Sequence, residues 1–496
     1  MLNFRLALIS LLFSSTAFAE SPLPPGINDA LNKAHIDNSA MSVVVMPAYG
    51  GKPVLSHYAD RAMSPASTMK LLTTAIALEE LGPTFRWKTQ ILSTEPIKKD
   101  SLRGDMYIRG GGDPDLTWSK FGMMLRNLRQ QGIRKITGDI VLDRSYFEPQ
   151  RIDIGAPPFD EYPDAYYNVI PDALLIHSNI SAFALSADAD KIDVRLMTPL
   201  DKIKLVNHLH LNNLPCKDWE SEWLPPAIEL QKKNQIEITL SGGFPRHCKI
   251  DDYLNILDRN QYIAHLIRAL WQEMGGVWQG DIRDGKTPAE ARVLTERQSD
   301  TLADTIRTVN KHSDNTMARI LFLTLGAEAQ QDRRNTSLQT ADLRVRNWLA
   351  KKGISDAGLQ IENGSGLSRS ARISANQLAA ILQAEANSNW NAEYVSSLPI
   401  AALDGTMRKR LKNSSADSRA RIKTGTLKDS TAIAGYVRDN HDLLWIVVGI
   451  INHDDAMKAR AALDELITWV ADGRPTTALA TAAALSSMPP APPAQK

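Results

Sequence analysis

The chain has 496 residues, 43% of them hydrophobic, and 57 Lys and Arg nearly balance 56 Asp and Glu for a formal net charge of +1. A chain of this length folds as two or three domains with substantial cores. Near-zero charge without a basic run argues against nucleic-acid binding and against electrostatic attachment to an anionic membrane.

Residues 1–19 read as a secretory signal. Arg5 gives a weak positive start, Leu6 to Phe13 an apolar core, and Ala17-Phe18-Ala19 a small-x-small cleavage site. The apolar run is too short to span a bilayer, and no later segment provides a transmembrane anchor. No cysteine follows the cleavage site for lipid attachment. The mature chain is expected to be exported, starting after Ala19.

Met41 to Met46 predicts a strand and Pro53 to Tyr58 a second, with a turn through Tyr49-Gly50-Gly51-Lys52. Next comes Met63-Ser64-Pro65-Ala66-Ser67-Thr68-Met69-Lys70-Leu71-Leu72. Pro65 suits a first helical position, Leu71, Leu72, Ala75, Ile76, Leu78 and Leu81 form an apolar stripe, and Leu81-Gly82-Pro83 is a stop. On that helix Lys70 lies one turn from Ser67, on the same face. A serine hydroxyl needs a base to become a nucleophile, and a lysine kept neutral by desolvation and a neighbouring cation can serve. Ser67 is the only serine in the chain with a lysine three positions on.

From about 90 to 290 the pattern becomes short strands and turns, and residues 93–289 read as a mostly β insertion. Two modules are expected in it, 93–185 with 270–289, and 186–269. Asp105 to Arg109, Lys135 to Asp143, 192–212 and 235–241 supply strand signals. Gly110-Gly111-Gly112 predicts a tight turn, because no Gly-Lys-Ser/Thr follows to make a phosphate loop. Cys216 and Cys248 are the only cysteines. In an exported protein a single pair more often forms a disulfide than a metal site, so they read as a structural staple.

Helical periodicity returns near 300. Leu302 to Asn310 and Thr316 to Leu325 flank a break at Ser313-Asp314-Asn315, where side chains can project into a cleft. Helices follow near Leu338 to Lys352 and Ala375 to Ala386, then an apolar hairpin, 431–437 and 443–451, and a last helix from Ala456 to Val470. Lys423-Thr424-Gly425-Thr426 opens the strand before the hairpin; Gly425 lets a ligand lie close and Lys423 can hold a carboxylate. The Ala/Pro-rich 474–496 read as a disordered tail, leaving 20–92 with 290–473 as one discontinuous domain.

The set Ser67-x-x-Lys70, Ser313-Asp314-Asn315 and Lys423-Thr424-Gly425, in that order, resembles the penicillin-binding protein and serine β-lactamase superfamily. The long stretch between the first two motifs resembles the class C low-molecular-mass penicillin-binding proteins, the D-Ala-D-Ala carboxypeptidase/endopeptidase family (S13). Gly110-Gly111-Gly112-Asp113-Pro114, Asn363-Gly364-Ser365-Gly366-Leu367-Ser368-Arg369 and Leu403-Asp404-Gly405-Thr406 add to the likeness. The resemblance implies an α/β (α+β) transpeptidase-like fold carrying the insertion. It makes Ser67 the nucleophile, Lys70 the base, Ser313 a proton relay and Asn315 a contact to the substrate amide. Lys423 and Thr424 would bind the terminal carboxylate, and the N–H groups of Ser67 and Thr426 would form the oxyanion hole beside Gly425. Arg369 would line a pocket for the diamino-acid side chain, with an acidic partner from the Asp160, Glu161 and Asp164 cluster, Asp164 being the candidate.

The implied activity is a periplasmic serine D-Ala-D-Ala carboxypeptidase with DD-endopeptidase activity on peptidoglycan stem peptides and cross-links, acylated by β-lactams. The alternatives are a β-lactamase or esterase on the same machinery and an inactive peptidoglycan-binding protein. No cofactor or metal is expected: the ten histidines include no His-x-x-x-His pair, and His208 and His210 lack a third ligand.

Overall fold

The computed structural model describes residues 22–329 and 335–476. The signal segment and nearly all of the Ala/Pro-rich tail lie outside the described residues. The core of the chain is a five-stranded antiparallel sheet in the order Ala420–Leu427, Ser430–Arg438, Leu444–Asn452, Met41–Pro47, Leu55–His57. Strand alternation divides its side chains between two cores. Val43, Val45 and Val447 pack against the terminal helices Pro25–Lys33 and Arg460–Ala471. Val44, Met46 and Val448 pack against a helical layer that includes Lys70–Leu81, Leu302–His312, Asn315–Ala329, Ser337–Lys351 and Ala375–Ala386. Coverage on both faces explains why these strands are apolar along their whole length.

The helix Lys70–Leu81 runs through the helical layer and is buried without a break from Lys70 to Leu78. An all-round apolar helix must lie inside a protein, and this one carries Lys70 inside with it. The strand expected over 53–58 shortens to Leu55–His57.

The insertion leaves through Lys88–Ser93 and returns through Arg292–Gln298, and these two strands pair antiparallel. They belong to a second five-stranded sheet, in the order Ile282–Asp284, Ile140–Asp143, Met106–Gly110, Lys88–Ser93, Arg292–Gln298. Two further three-stranded sheets are Ile192–Leu196, Ser181–Ala187, Lys249–Leu254 and Ile203–Asn212, Gln235–Pro245, Trp223–Gln231. One apolar core joins them, with Ile91, Ile108, Phe183, Leu240, Tyr262 and Trp271 among its members. Two helices, Trp118–Gln130 and Arg259–Glu273, contribute to that core in a region whose turns suggested mainly strands. The strand expected over 135–143 is two short ones, Lys135–Ile136 and Ile140–Asp143. Gly138 lies in the gap, where a Cβ would collide with the Gly104 backbone.

Cys216 and Cys248 are joined as a disulfide with Cα atoms 5.3 Å apart. It ties the turn before Trp223–Gln231 to the start of Lys249–Leu254. Closing a loop of 32 residues restricts the unfolded chain by roughly 3–4 kcal/mol. Replacing both cysteines by serine is therefore expected to lower the thermal midpoint of the insertion, read by calorimetry, while chemistry at Ser67 persists below the transition.

Candidate active site

Ser67 occupies a strained turn held from three sides. Before it, the Ser64 N–H donates to Asn452 Oδ1 at 2.8 Å, and Asn452 Nδ2 and the Ser430 hydroxyl both donate to the Ser64 carbonyl. Ala66 has φ +46°, a left-handed conformation costing an alanine about 1 kcal/mol. A 3₁₀ turn, Ala66–Met69, then runs into the α-helix at Lys70, so Pro65 precedes the helical turn instead of opening it. Packing imposes this geometry. A Cβ on Gly366 would collide with the Ala66 carbonyl. One on Gly425 would come within 2.6 Å of the Pro65 carbonyl and 3.0 Å of the Ser67 nitrogen. Gly425 is thus required for the strand to lie against the nucleophile.

Lys70 Nζ lies 2.9 Å from Ser67 Oγ, 2.7 Å from Asn315 Oδ1 and 2.6 Å from the Ser365 carbonyl. The last two groups can only accept. Asn315 is oriented by its Nδ2, which donates to the Tyr167 carbonyl at 3.1 Å. A neutral amine has two N–H bonds and one lone pair. With both N–H bonds given to these acceptors, the lone pair is left facing the Ser67 hydroxyl. That is the arrangement in which a lysine removes a serine proton.

The Ser365 carbonyl is held in place by its own loop. Asn363 Oδ1 accepts from the Ser365 N–H and hydroxyl, and Asn363 Nδ2 donates to the Leu367 carbonyl at 2.9 Å. Thr73, one turn after Lys70, donates to the Gly364 carbonyl at 2.7 Å.

Burial is the main force holding Lys70 well below the usual lysine range. The Lys423 charge lowers it further and Arg319 adds to that, against an opposing contribution from Asp314. Lys423 is itself fully buried, and desolvation pulls it down to about 7. It donates to Ser313 Oγ at 2.9 Å and to the Thr424 carbonyl at 2.7 Å. Ser313 ends the helix Leu302–His312 in a left-handed conformation, φ 61°, which turns its hydroxyl toward Lys423. The five motif side chains form two hydrogen-bonded groups, Ser67–Lys70–Asn315 and Ser313–Lys423, and the Lys423 charge acts on Lys70 across the site.

Ala420–Leu427 is the edge strand of its sheet. The Ile422 N–H donates outward to the Pro399 carbonyl, so by alternation the N–H groups of Thr424 and Thr426 also point outward. The Ser67 N–H precedes the first intrahelical bond, which Thr68 makes to the Pro65 carbonyl. The Ser67 N–H is thus left outside the intrahelical bonding and the Thr426 N–H outside the sheet bonding.

A cavity of about 580 Å³ is bordered by Phe159, Pro163, Asn168, Asn255, Arg319 and Arg369 among others, with Arg319 lying on the helix that carries Asn315. The Arg369 guanidinium stacks on the Phe159 ring at 4.5 Å. Asp160 is consumed within its own loop, accepting from Tyr167 Oη and Asn168 Nδ2. Asp164 does not line the cavity, but it follows Pro163, which does, and its carbonyl accepts from the Asn255 N–H at 2.8 Å. Burial pushes the Asp164 carboxyl up.

Sequence reasoning missed the Ser365 and Tyr167 carbonyls and the Arg319 cation. Main-chain carbonyls leave no residue-type signal, although the glycines flanking Ser365 mark a tight loop. Arg319 lies one turn after Asn315 on the same helix, and that spacing could have found it. Among the described residues no cluster of three or more His, Cys, Asp or Glu could hold a metal ion.

Gly425→Ala is expected to slow acylation of Ser67 by up to about a hundredfold, the cost of misplacing a reacting group by about 1 Å. Far-UV circular dichroism should show the fold retained.

The chain is similar to known proteins over most of its length. The chain is 25% identical over 482 residues to a D-alanyl-D-alanine carboxypeptidase of Actinomadura, covering 92% of this chain and 87% of that one. It is 27% identical over 442 residues to D-alanyl-D-alanine carboxypeptidase DacB of Haemophilus influenzae, covering 87% and 88%. The crystal structure of Haemophilus influenzae penicillin binding protein 4 superposes with a TM-score of 0.73 at 23% identity, over 89% of this chain and 99% of that one, and so shares its fold. Residues 25–472 match the D-Ala-D-Ala carboxypeptidase 3 (S13) family, and the chain belongs to that family of serine peptidases.

Proposed function

We propose that the protein is a serine D-alanyl-D-alanine carboxypeptidase that also cleaves peptidoglycan cross-links as a DD-endopeptidase. The observation that carries this reading is Lys70, buried between two obligate acceptors with its lone pair left for Ser67. Lys423 and the Thr424 hydroxyl bind the terminal carboxylate of the stem peptide. Ser67 attacks the carbonyl between the two D-alanines while Lys70 takes its proton, and the Ser67 and Thr426 N–H groups hold the oxyanion. Ser313, held by Lys423, relays to the leaving amine the proton that Lys70 took from Ser67, which returns Lys70 to its neutral form, and Asn315 contacts the substrate amide. D-Alanine departs with its carboxylate, and water hydrolyses the acyl-enzyme. A cross-link offers the same bond, with a second stem peptide as the leaving amine.

The cavity receives the side chain of the residue before the D-alanines. Arg369 takes its carboxylate, and the amine extends past Pro163 at the cavity border to Asp164, whose carboxyl has no hydrogen-bond partner among the described residues. β-Lactams acylate Ser67. The protein works in the periplasm after cleavage behind Ala19; among the described residues no helix is long and apolar enough to cross a membrane.

Intact-mass spectrometry with a β-lactam tests this directly. One covalent adduct is expected on the wild type and none on Ser67→Ala. A wild type that consumes the drug without accumulating adduct would favour a β-lactamase. One that leaves the drug intact would favour an inactive binding protein.

The rate should also depend on pH in a defined direction. Acylation requires neutral Lys70 and cationic Lys423, so kcat/KM rises with pH through the lowered Lys70 pKa. Loss of the Lys423 proton, at about 7 in the empty site, acts in the opposite direction and lowers it. A bound carboxylate favours the charged lysine, so the falling limb of kcat should lie at higher pH than that of kcat/KM.

A further inference from the structure

Leu403-Asp404-Gly405-Thr406 is a motif to which the mechanism above gives no role. In the fold it forms a clasp between the two elements that carry Ser313 and Lys423. Asp404 Oδ2 pairs with Lys311 Nζ at 2.5 Å, and Asp404 Oδ1 accepts from the Ile400 N–H at 2.7 Å. Lys311 is buried and lies two residues before Ser313. Gly405 has φ 53°, and a Cβ there would come within 2.5 Å of the Lys311 carbonyl, so the turn is pressed against the helix end. Upstream, the Ala401 N–H donates to the Ala420 carbonyl and the Ile422 N–H to the Pro399 carbonyl. The segment therefore occupies the outer edge of the Lys423 strand up to the point where substrate would continue along it.

At the end of this clasp the Thr424 hydroxyl donates to the Thr406 hydroxyl oxygen at 2.8 Å; both groups are rotors, so the pair can reverse. In such a pair only one hydroxyl donates to the other. If Thr424 donates to Thr406, its proton is used up and a carboxylate meets a lone pair. If Thr406 donates to Thr424, the Thr424 O–H is free to donate to the ligand. An arriving carboxylate selects the second arrangement, in which the Thr406 proton fills a Thr424 lone pair and holds the Thr424 O–H toward the ligand; without a hydroxyl at 406 that hold is lost.

We propose that Thr406 is a positioning residue for the substrate's terminal carboxylate: by donating to Thr424 Oγ1 it turns the Thr424 O–H toward the ligand, in a register fixed by the Lys311–Asp404 ion pair. This rests on the reading that Lys423 and Thr424 bind that carboxylate. Thr406 touches no reacting atom and acts through Thr424 alone.

The test is a mutant cycle in the mature protein, reading kcat/KM for release of D-alanine from a peptide ending in D-Ala-D-Ala. Thr406→Val keeps the shape and removes the donor; it should lower kcat/KM about tenfold, the size of one hydrogen bond to a charged group. Thr406→Ser should stay within about twofold of wild type. On a Thr424→Val background, Thr406→Val should have no further effect, since the hydroxyl it orients is gone. Melting temperatures are read in parallel, and Thr406→Ala replaces the valine variant if that one does not fold. The proposal is overturned if Thr406→Val matches wild type, if serine fails to rescue, or if the two threonine losses multiply independently. A wild type that releases no D-alanine overturns the proposed function instead, which keeps the two failures apart.

Discussion

A lysine amine taken out of water organises this molecule. An exposed lysine holds its proton at neutral pH and cannot act as a base; a dry one gives it up. The helix that carries Lys70 is apolar on every side, and its burial is what makes the side chain chemically useful. Burial alone would leave polar N–H bonds unsatisfied, at a cost of about 1–3 kcal/mol each. The Ser365 carbonyl and Asn315 Oδ1 meet that need, and in doing so they fix the direction of the lone pair. The same logic governs Lys423, whose protonated form is held about 5 kcal/mol less stable than in water. A substrate carboxylate relieves that penalty, so the empty subsite is already biased toward an anion.

Much of this centre is legible in the sequence because side chains on one helix face have a fixed spacing. Ser67 and Lys70 need only a helix, and Gly425 beside Lys423 announces a close approach. What stayed hidden comes from main-chain groups and from distant loops. The Ser365 and Tyr167 carbonyls belong to no side-chain pattern, and the clasp at Asp404 acquires meaning only when Thr406 is seen against Thr424. In the insertion, the helix Trp118–Gln130 was legible in principle: Thr117 caps it, and Phe121, Met124, Leu125 and Leu128 follow a helical period. The turn residues around it favour strands when each window is weighed alone. The Ser67 turn was misjudged for another reason. Nothing local predicts a left-handed Ala66, which is imposed by Gly366 and Gly425 from elsewhere in the chain.

The insertion reaches the catalytic centre as well as extending from it. Its segment around Tyr167 docks on the helix Asn315–Ala329 through Asn315 Nδ2 and Arg319, which donates to the Val169 carbonyl at 3.0 Å. The residue that holds Lys70 is thus itself held by the insertion. The same loop forms a wall of the cavity that Arg319 and Arg369 border. A module that could have been a passive spacer therefore shares in orienting the base and in shaping the site.

The central sheet has a further consequence for how the protein is made. Met41–Pro47, near the start of the chain, takes its sheet partner from Leu444–Asn452, near its end. A ribosome delivers Ser67 and Lys70 long before Lys423, and the edge strand that completes the site is among the last segments to emerge. Both strands that close the insertion are synthesised earlier, so that module is able to fold while its host is still incomplete. The site is consequently incomplete until Ala420–Leu427 joins the sheet, and pairing of strands so far apart in sequence makes assembly of the host slow.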